Sequence, residues 1–159
     1  MSVQLAMFKG KGQIGNAVIR WWTGSRYSHC ELVVDGLCYS SSVMDKGVRC
    51  KAIGPDDDQI SLDVRLWDIF DLPWADENRI KDYFAKTDSD QYGWPSLILS
   101  QMLNRNQSIK HAQFCSEWCA AALGLPAPSS LSPSTIDQWC KYLNLVLGPG
   151  QINPQACAA

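Results

Sequence analysis

The feature that most constrains this fold is an Asp-Gly dipeptide between two β-rich runs. Asp35-Gly36 joins the run 29–34 to the run 37–42. Asp-Gly favours a type I′ turn, because both central residues of that turn need a positive φ. The sequence therefore predicts an antiparallel hairpin in which Val34 faces Leu37.

The length of this turn decides which polar side chains meet further along the hairpin. A two-residue turn sets His29 opposite Ser42 and Glu31 opposite Ser40. A three-residue turn with a bulge places Ser41 and Tyr39 on the face of His29 instead. Both registers stay open. Glu31 shares the face of His29 in either case, although side chains two apart on one strand meet imperfectly.

Apolar periodicity and turn residues predict the remaining elements. Strands are expected at 3–8, 47–53 and 60–66, and helices at 14–22, from Asp76 through Phe84, at 94–103, at 115–123 and from Pro133 through Leu143. Helices follow a run of antiparallel strands, which indicates an α+β fold in one domain, 1–148. The tail 149–159 is expected to be frayed.

Composition excludes several function classes. The 159 residues carry a net charge of −2, so no basic face is expected to attract nucleic acid. No apolar run approaches the roughly 20 residues that cross a bilayer. The first residues do not read as a signal peptide, which predicts synthesis and location in the cytoplasm.

The seven cysteines do not follow a disulfide or metal pattern. Their number is odd, and no Cys-x-x-Cys pair occurs. Only Cys115 and Cys119 are close enough to suggest a redox or metal protein, which is the weakest function considered. We expect no metal, no cofactor and mostly buried thiols in a reducing compartment.

Cys115 is the candidate nucleophile because it begins a predicted helix. The helix dipole and unpaired N–H groups stabilise a thiolate at that position. His29, at the head of a strand, is the candidate base, because a helix packed on a sheet can bring distant residues together. His111 lies four residues before Cys115 and is expected to be a loop residue.

Two motifs in this order resemble a known group of enzymes. Tyr27–Gly36 and Phe114–Glu117 are similar to the circularly permuted branch of the NlpC-type papain-like cysteine hydrolases, which includes the lecithin:retinol acyltransferase relatives. In that branch the histidine precedes the cysteine. The segments 39–42 and 47–49 further resemble small phage-encoded members. The resemblance spans about residues 19–124 and implies a papain-like fold.

The resemblance implies a role for each matching residue. Cys115 would be the nucleophile of an acyl-enzyme mechanism, and His29 the general base. A third polar residue would orient the imidazole about a dozen positions after the base. That window holds only serines, so Ser41 is the first choice. The alternatives are Ser42, Ser40 and Glu31.

Further residues are candidates for substrate binding. Backbone N–H groups at the start of the Cys115 helix would form an oxyanion hole, with a contribution from Tyr27. Aromatic side chains would flank a groove, and Glu117 would support the helix start or a neighbouring loop. The candidate groove residues are Trp21, Trp22, Tyr92 and Trp94.

The expected activity is that of a thiol hydrolase that cleaves an amide, first of all in a peptidoglycan-type peptide. An acyl ester or thioester is the second substrate class, by hydrolysis or acyl transfer. A catalytically silent phage structural or interaction module on the same scaffold is the alternative from another class. Association with a virion or a host cell wall is expected if the protein acts on peptidoglycan.

Overall fold

The computed structural model describes residues 2–10, 26–42, 44–88, 90–92 and 112–147. These residues form an α+β fold whose centre is a sheet of five antiparallel strands. The strands are β1 (Val3–Phe8), β2 (His29–Val34), β3 (Leu37–Ser42), β4 (Gly47–Ala52) and β5 (Trp67–Leu72). Two short strands, β6 (Gln91–Tyr92) and β7 (Ala112–Gln113), extend the sheet, and its order is β5-β1-β2-β3-β4-β6-β7.

The Asp35-Gly36 turn is confirmed as a two-residue turn. Asp35 has φ 52° and Gly36 has φ 76°, the two positive values that a type I′ turn requires. The register pairs Val34 with Leu37 and Leu32 with Tyr39, as the two-residue turn predicts. Lys81, which lies on a neighbouring helix, donates a hydrogen bond to the Asp35 carboxylate.

Within the described residues, three helices follow the five main strands, and one short 3₁₀ turn joins the last two. The helices are α1 (Glu77–Thr87), α2 (Cys115–Ala122) and α3 (Pro133–Leu147), and the 3₁₀ turn is Pro128–Ser130. Asp76 caps α1 by accepting from the Asn78 N–H, and Ser132 accepts from the Thr135 N–H before α3. The predicted starts of these helices are confirmed.

Helix α2 packs across β2 and β3 and carries the main core. Every residue of α2 except Ala121 is buried. Trp118 is fully buried and donates its indole N–H to Thr87 on α1. Cys30 and Leu32 meet α2 from the sheet, whereas Ala6, Val33, Cys38 and Trp67 form a smaller cluster apart from this core.

The strand expected at 60–66 is wrong. Ile60 forms only an isolated bridge with Ile53, and Asp63 turns the chain by accepting from the Arg65 N–H through its side chain. The strand forms instead at Trp67–Leu72, where it pairs with the outer edge of β1. The helices predicted at 14–22 and 94–103 and the tail 149–159 lie outside the described residues.

Candidate active site

Cys115 and His29 come together although 85 positions separate them in the sequence. Cys115 is the first residue of α2, and His29 is the first residue of β2. The two side chains are hydrogen-bonded. The packing of α2 on β2 therefore produces the thiol–imidazole contact that the sequence predicted.

The environment of Cys115 favours the thiolate. Hydrogen bonds from the Cys30 thiol, the attraction of His29 and a bond from the Cys30 backbone N–H hold the pKa of the Cys115 thiol well below its usual value. These contacts outweigh burial, which would raise the pKa. Cys115 is only 4% exposed. These donors favour the thiolate form of Cys115 over the thiol.

Glu31 is the carboxylate that meets the imidazole. His29 Nε2 lies 2.8 Å from Glu31 Oε1, and the ring N–H donates this hydrogen bond to the carboxylate. Burial would lower the pKa of His29, but Cys115 and Glu31 together raise it to about 10. Both pKa shifts favour the imidazolium form of His29 and the thiolate form of Cys115.

Arg49 holds Glu31 in its ionised form. Arg49 Nη1 donates to Glu31 Oε2 at 2.7 Å, and Nη2 donates to Oε1, in a two-pronged ion pair. Burial opposes the charge on Glu31, but His29 and Arg49 lower its pKa. Asp45 accepts a hydrogen bond from Arg49 Nε at 3.0 Å and is the last member of this series of contacts.

Two of the three serines considered as a third member, Ser40 and Ser42, make hydrogen bonds to the backbone. Ser40 Oγ donates to the Cys30 carbonyl at 2.7 Å, and Ser42 Oγ accepts from the Met44 N–H at 3.2 Å. Ser41 is fully buried on β3, where its backbone pairs with Val48. Glu31, one of the alternatives to Ser41 considered from the sequence, makes the hydrogen bond to the imidazole.

Tyr27 is directed toward β5 rather than toward the thiol. Its hydroxyl donates to Asp68 at 2.8 Å, and Arg26 and Lys9 bond the same carboxylate. Burial and Asp68 raise the pKa of Tyr27 to about 12. The structure thus gives Tyr27 an anchoring contact before the β2 strand.

Glu117 supports the start of α2, as expected, and lies in an environment that neutralises it. It accepts a hydrogen bond from the Phe114 N–H, which is the reverse arm of a capping box. Burial raises its pKa to about 7. Its Oε2 atom is buried and finds no partner among the described residues.

Two further buried hydroxyls flank the thiol–imidazole pair. Ser28 precedes His29 and Ser116 follows Cys115, and neither hydroxyl oxygen has a hydrogen-bond partner within the described ranges. Unsatisfied buried polar atoms are uncommon in folded proteins and need an explanation. Both serines are sequence neighbours of the candidate catalytic residues.

Some expected groove residues cannot be compared with the structure. Trp21, Trp22 and Trp94 lie outside the described residues, as does His111. Tyr92 belongs to β6, but its side chain is outside the described part. The aromatic side chain that does lie near His29 is Trp67, at 6.3 Å between ring centroids.

Sequence reasoning missed the roles of Arg49 and Trp67. Arg49 is buried in the middle of an alternating strand, where an arginine needs a partner, and this was the available signal. Glu31 on β2, on the far side of β3, is that partner. Trp67 was missed because the strand that carries it was placed too early in the chain.

The described residues include no disulfide and no grouping of metal ligands. Cys30, Cys38, Cys50, Cys115, Cys119 and Cys140 are free thiols. No three histidine, cysteine or acidic side chains in the described ranges are grouped so that they could hold a metal ion. No helix among those residues has the length and apolar character needed to cross a membrane.

Comparison with models of protein families, with curated proteins and with solved structures finds no match to the chain. The site therefore has to be interpreted from its own residues.

Proposed function

We propose that this protein is a thiol hydrolase in which Cys115 attacks a carbonyl carbon and forms an acyl-enzyme. The observation that carries the proposal is the continuous set of contacts from Cys115 through His29 and Glu31 to Arg49. A nucleophile, a base and an orienting carboxylate in mutual contact are the parts that this reaction needs.

Each residue has a defined task in this proposal. His29 keeps Cys115 ionised and gives its proton to the leaving amine or alcohol as the acyl-enzyme forms. Water then attacks the acyl group with His29 as base. Glu31 takes the orienting role in place of Ser41, because a carboxylate stabilises the imidazolium better than a hydroxyl. Arg49 keeps Glu31 charged and fixed.

The start of α2 supplies the electrostatic part. Backbone N–H groups in the first turn of a helix have no partner within the helix, and they favour a developing oxyanion. Ser28 and Ser116, the sequence neighbours of His29 and Cys115, carry buried hydroxyls. Their lack of partners among the described residues supports the binding of a polar group beside Cys115.

The substrate class follows from the resemblance rather than from the site. We propose an amide of a peptidoglycan-type peptide first and an acyl ester or thioester second, on a papain-like fold of the circularly permuted kind. If the substrate is a peptidoglycan-type peptide, we propose that the protein associates with a virion or a host cell wall.

The test is the rate of Cys115 alkylation by iodoacetamide between pH 4 and pH 9, compared in wild type, His29→Ala and Glu31→Gln. We expect wild-type Cys115 to react far below pH ~8.5, the usual value for a thiol. Both variants should lose most of the reactivity below pH 6, since the imidazolium is removed or its pKa falls.

Cys50, which is half-buried and free, is the internal control, and its alkylation profile should be the same in wild type and His29→Ala, because His29 does not influence its pKa. If Cys115 titrates like Cys50 and ignores His29, the hydrolase proposal is wrong and the silent module becomes the better interpretation. A positive result justifies a screen of peptide and ester substrates, in which Glu31→Gln should lower turnover about 10²–10⁴-fold.

A further inference from the structure

Cys115 is one of three thiols that meet where α2 crosses β2. Cys30 is fully buried, and its side chain is hydrogen-bonded to Cys115. Cys119 donates its thiol to the Cys30 carbonyl at 3.7 Å. The hydrolase proposal uses only one of these sulfur atoms, so the cluster as a whole has no assigned role.

We propose that Cys30 is a resolving cysteine, which forms a reversible disulfide with Cys115 when a hydroperoxide oxidises the site. A redox-sensing cysteine is a stabilised thiolate with a second thiol in reach. Cys115 has both properties, because hydrogen bonds from His29 and Cys30 converge on its sulfur. The inference goes beyond the proposed hydrolysis and requires no substrate.

The first chemical step is oxidation of Cys115 by the hydroperoxide. The Cys115 thiolate attacks one peroxide oxygen, and the O–O bond breaks. With hydrogen peroxide the products are a sulfenic acid on Cys115 and a hydroxide ion. The hydroxide takes the proton of the His29 imidazolium and becomes water, which leaves His29 neutral.

The second step forms the disulfide. The Cys30 sulfur attacks the sulfur of the sulfenic acid, and the S–O bond breaks. The Cys30 thiol proton goes to the leaving hydroxyl, which departs as water. Over both steps one peroxide is reduced to two waters, and two cysteines are oxidised to one cystine.

Geometry favours Cys30 over Cys119 as the partner. Residues four apart on a helix have Cβ atoms about 5–6 Å apart. A disulfide needs its Cβ atoms about 3.5–4.5 Å apart, so a bond between Cys115 and Cys119 would distort α2. Cys30 faces α2 from the sheet and already contacts the Cys115 sulfur.

The experiment treats the full chain with hydrogen peroxide, blocks free thiols in acid and maps the cross-links. Trypsin and a glutamate-specific protease together separate the relevant cysteines, since Glu31 lies between Cys30 and Cys38 and Glu117 lies between Cys115 and Cys119. We expect peptide 27–31 joined to peptide 111–117. Reduction should restore Cys115 alkylation.

Cys30→Ser and Cys119→Ser form the matched pair of variants. In Cys30→Ser the cross-link is lost, and peroxide should drive Cys115 to sulfinic and sulfonic acids that reduction does not restore. In Cys119→Ser the 27–31 to 111–117 cross-link should remain. Circular dichroism checks that both variants fold.

Wild type alone can overturn the proposal. If its Cys115 forms sulfinic acid without the cross-link to peptide 27–31, or pairs with Cys119 instead, Cys30 is not a resolving cysteine. This result is independent of the hydrolase proposal, because alkylation below pH 6 is measured on untreated protein. A failure of one inference is therefore distinguishable from a failure of the other.

Discussion

Two buried carboxylates near the candidate site have opposite protonation behaviour. Glu31 is 1% exposed and Glu117 is 4% exposed. The pKa of Glu31 is lowered despite its burial, because His29 and Arg49 bond both of its oxygens. Burial raises the pKa of Glu117 to about 7, with the Phe114 N–H as an opposing contact. Partners, not depth, decide which of them is charged.

The difference has opposite consequences for stability against pH. A depressed pKa in the folded state gives Glu31 a stabilising contribution that is lost as the pH falls through that value. Glu117 has a raised folded pKa, so the folded state binds more protons than the unfolded state between pH 4.5 and about pH 7. Its contribution therefore weakens as the pH rises through that window.

The largest expected effect comes from removing the cation that Glu31 needs. Arg49→Met leaves a buried carboxylate with only the imidazole as a partner, and we expect a loss of about 3–5 kcal/mol in the free energy of unfolding at pH 7. Urea denaturation measures it. Arg65→Met is the control, because Arg65 pairs with Asp63 in solvent and its removal should change nothing measurable. An Arg49→Met loss below about 1 kcal/mol would contradict the comparison.

A smaller effect is expected when Glu117 is made permanently neutral. Glu117→Gln keeps an oxygen for the Phe114 N–H and removes the ionisation. Relative to wild type, the variant should gain about 2–3 kcal/mol at pH 8 compared with pH 5, since the pKa of Glu117 rises from its usual 4.5 to about 7. Urea denaturation at both values tests this. A difference between the two proteins that does not change with pH would show that Glu117 ionises freely.

The smallest loss of stability is expected at Asp137, a buried carboxylate whose ion-pair partner is exposed. Asp137 is buried, and its Oδ2 accepts from Lys141 at 2.8 Å, while Oδ1 has no partner within the described ranges. Lys141 is 56% exposed. Lys141→Met should therefore cost less than about 1 kcal/mol in thermal or urea unfolding. A loss as large as that of Arg49→Met would mean that the exposure of the cation does not determine how much its ion pair contributes to the free energy of unfolding.

The local part of the fold was predictable from the sequence. The Asp35-Gly36 turn, the register that follows from it and the start of α2 at Cys115 depend on neighbouring residues only. The strand at 60–66 was predicted wrongly because its alternating pattern resembles that of the true strand at Trp67–Leu72. The choice between them is made by Asp63, which turns the chain, and by the free edge of β1.

The candidate site was predictable only in its two central residues. Cys115 and His29 belong to motifs that can be found by eye. The bond between His29 and Glu31 depends on the rotamers of two side chains on one strand, and the role of Arg49 depends on the neighbour of β3 in the sheet. Such tertiary information is not contained in spacing along the chain.

The position of β1 within the sheet has a consequence for synthesis of the chain. β1 leaves the ribosome before β2 and β5, yet it lies between them in the sheet, and its β5 partners extend to Leu72. Nascent β1 therefore has two unpaired edges, and its second edge stays open until β5 emerges. Leu5 and Met7 are fully buried in the folded core. Until β5 emerges, their apolar side chains are exposed on a strand with an unpaired edge, which favours aggregation. Slow translation between β2 and β5 would favour aggregation of the newborn chain, and rapid translation would protect it.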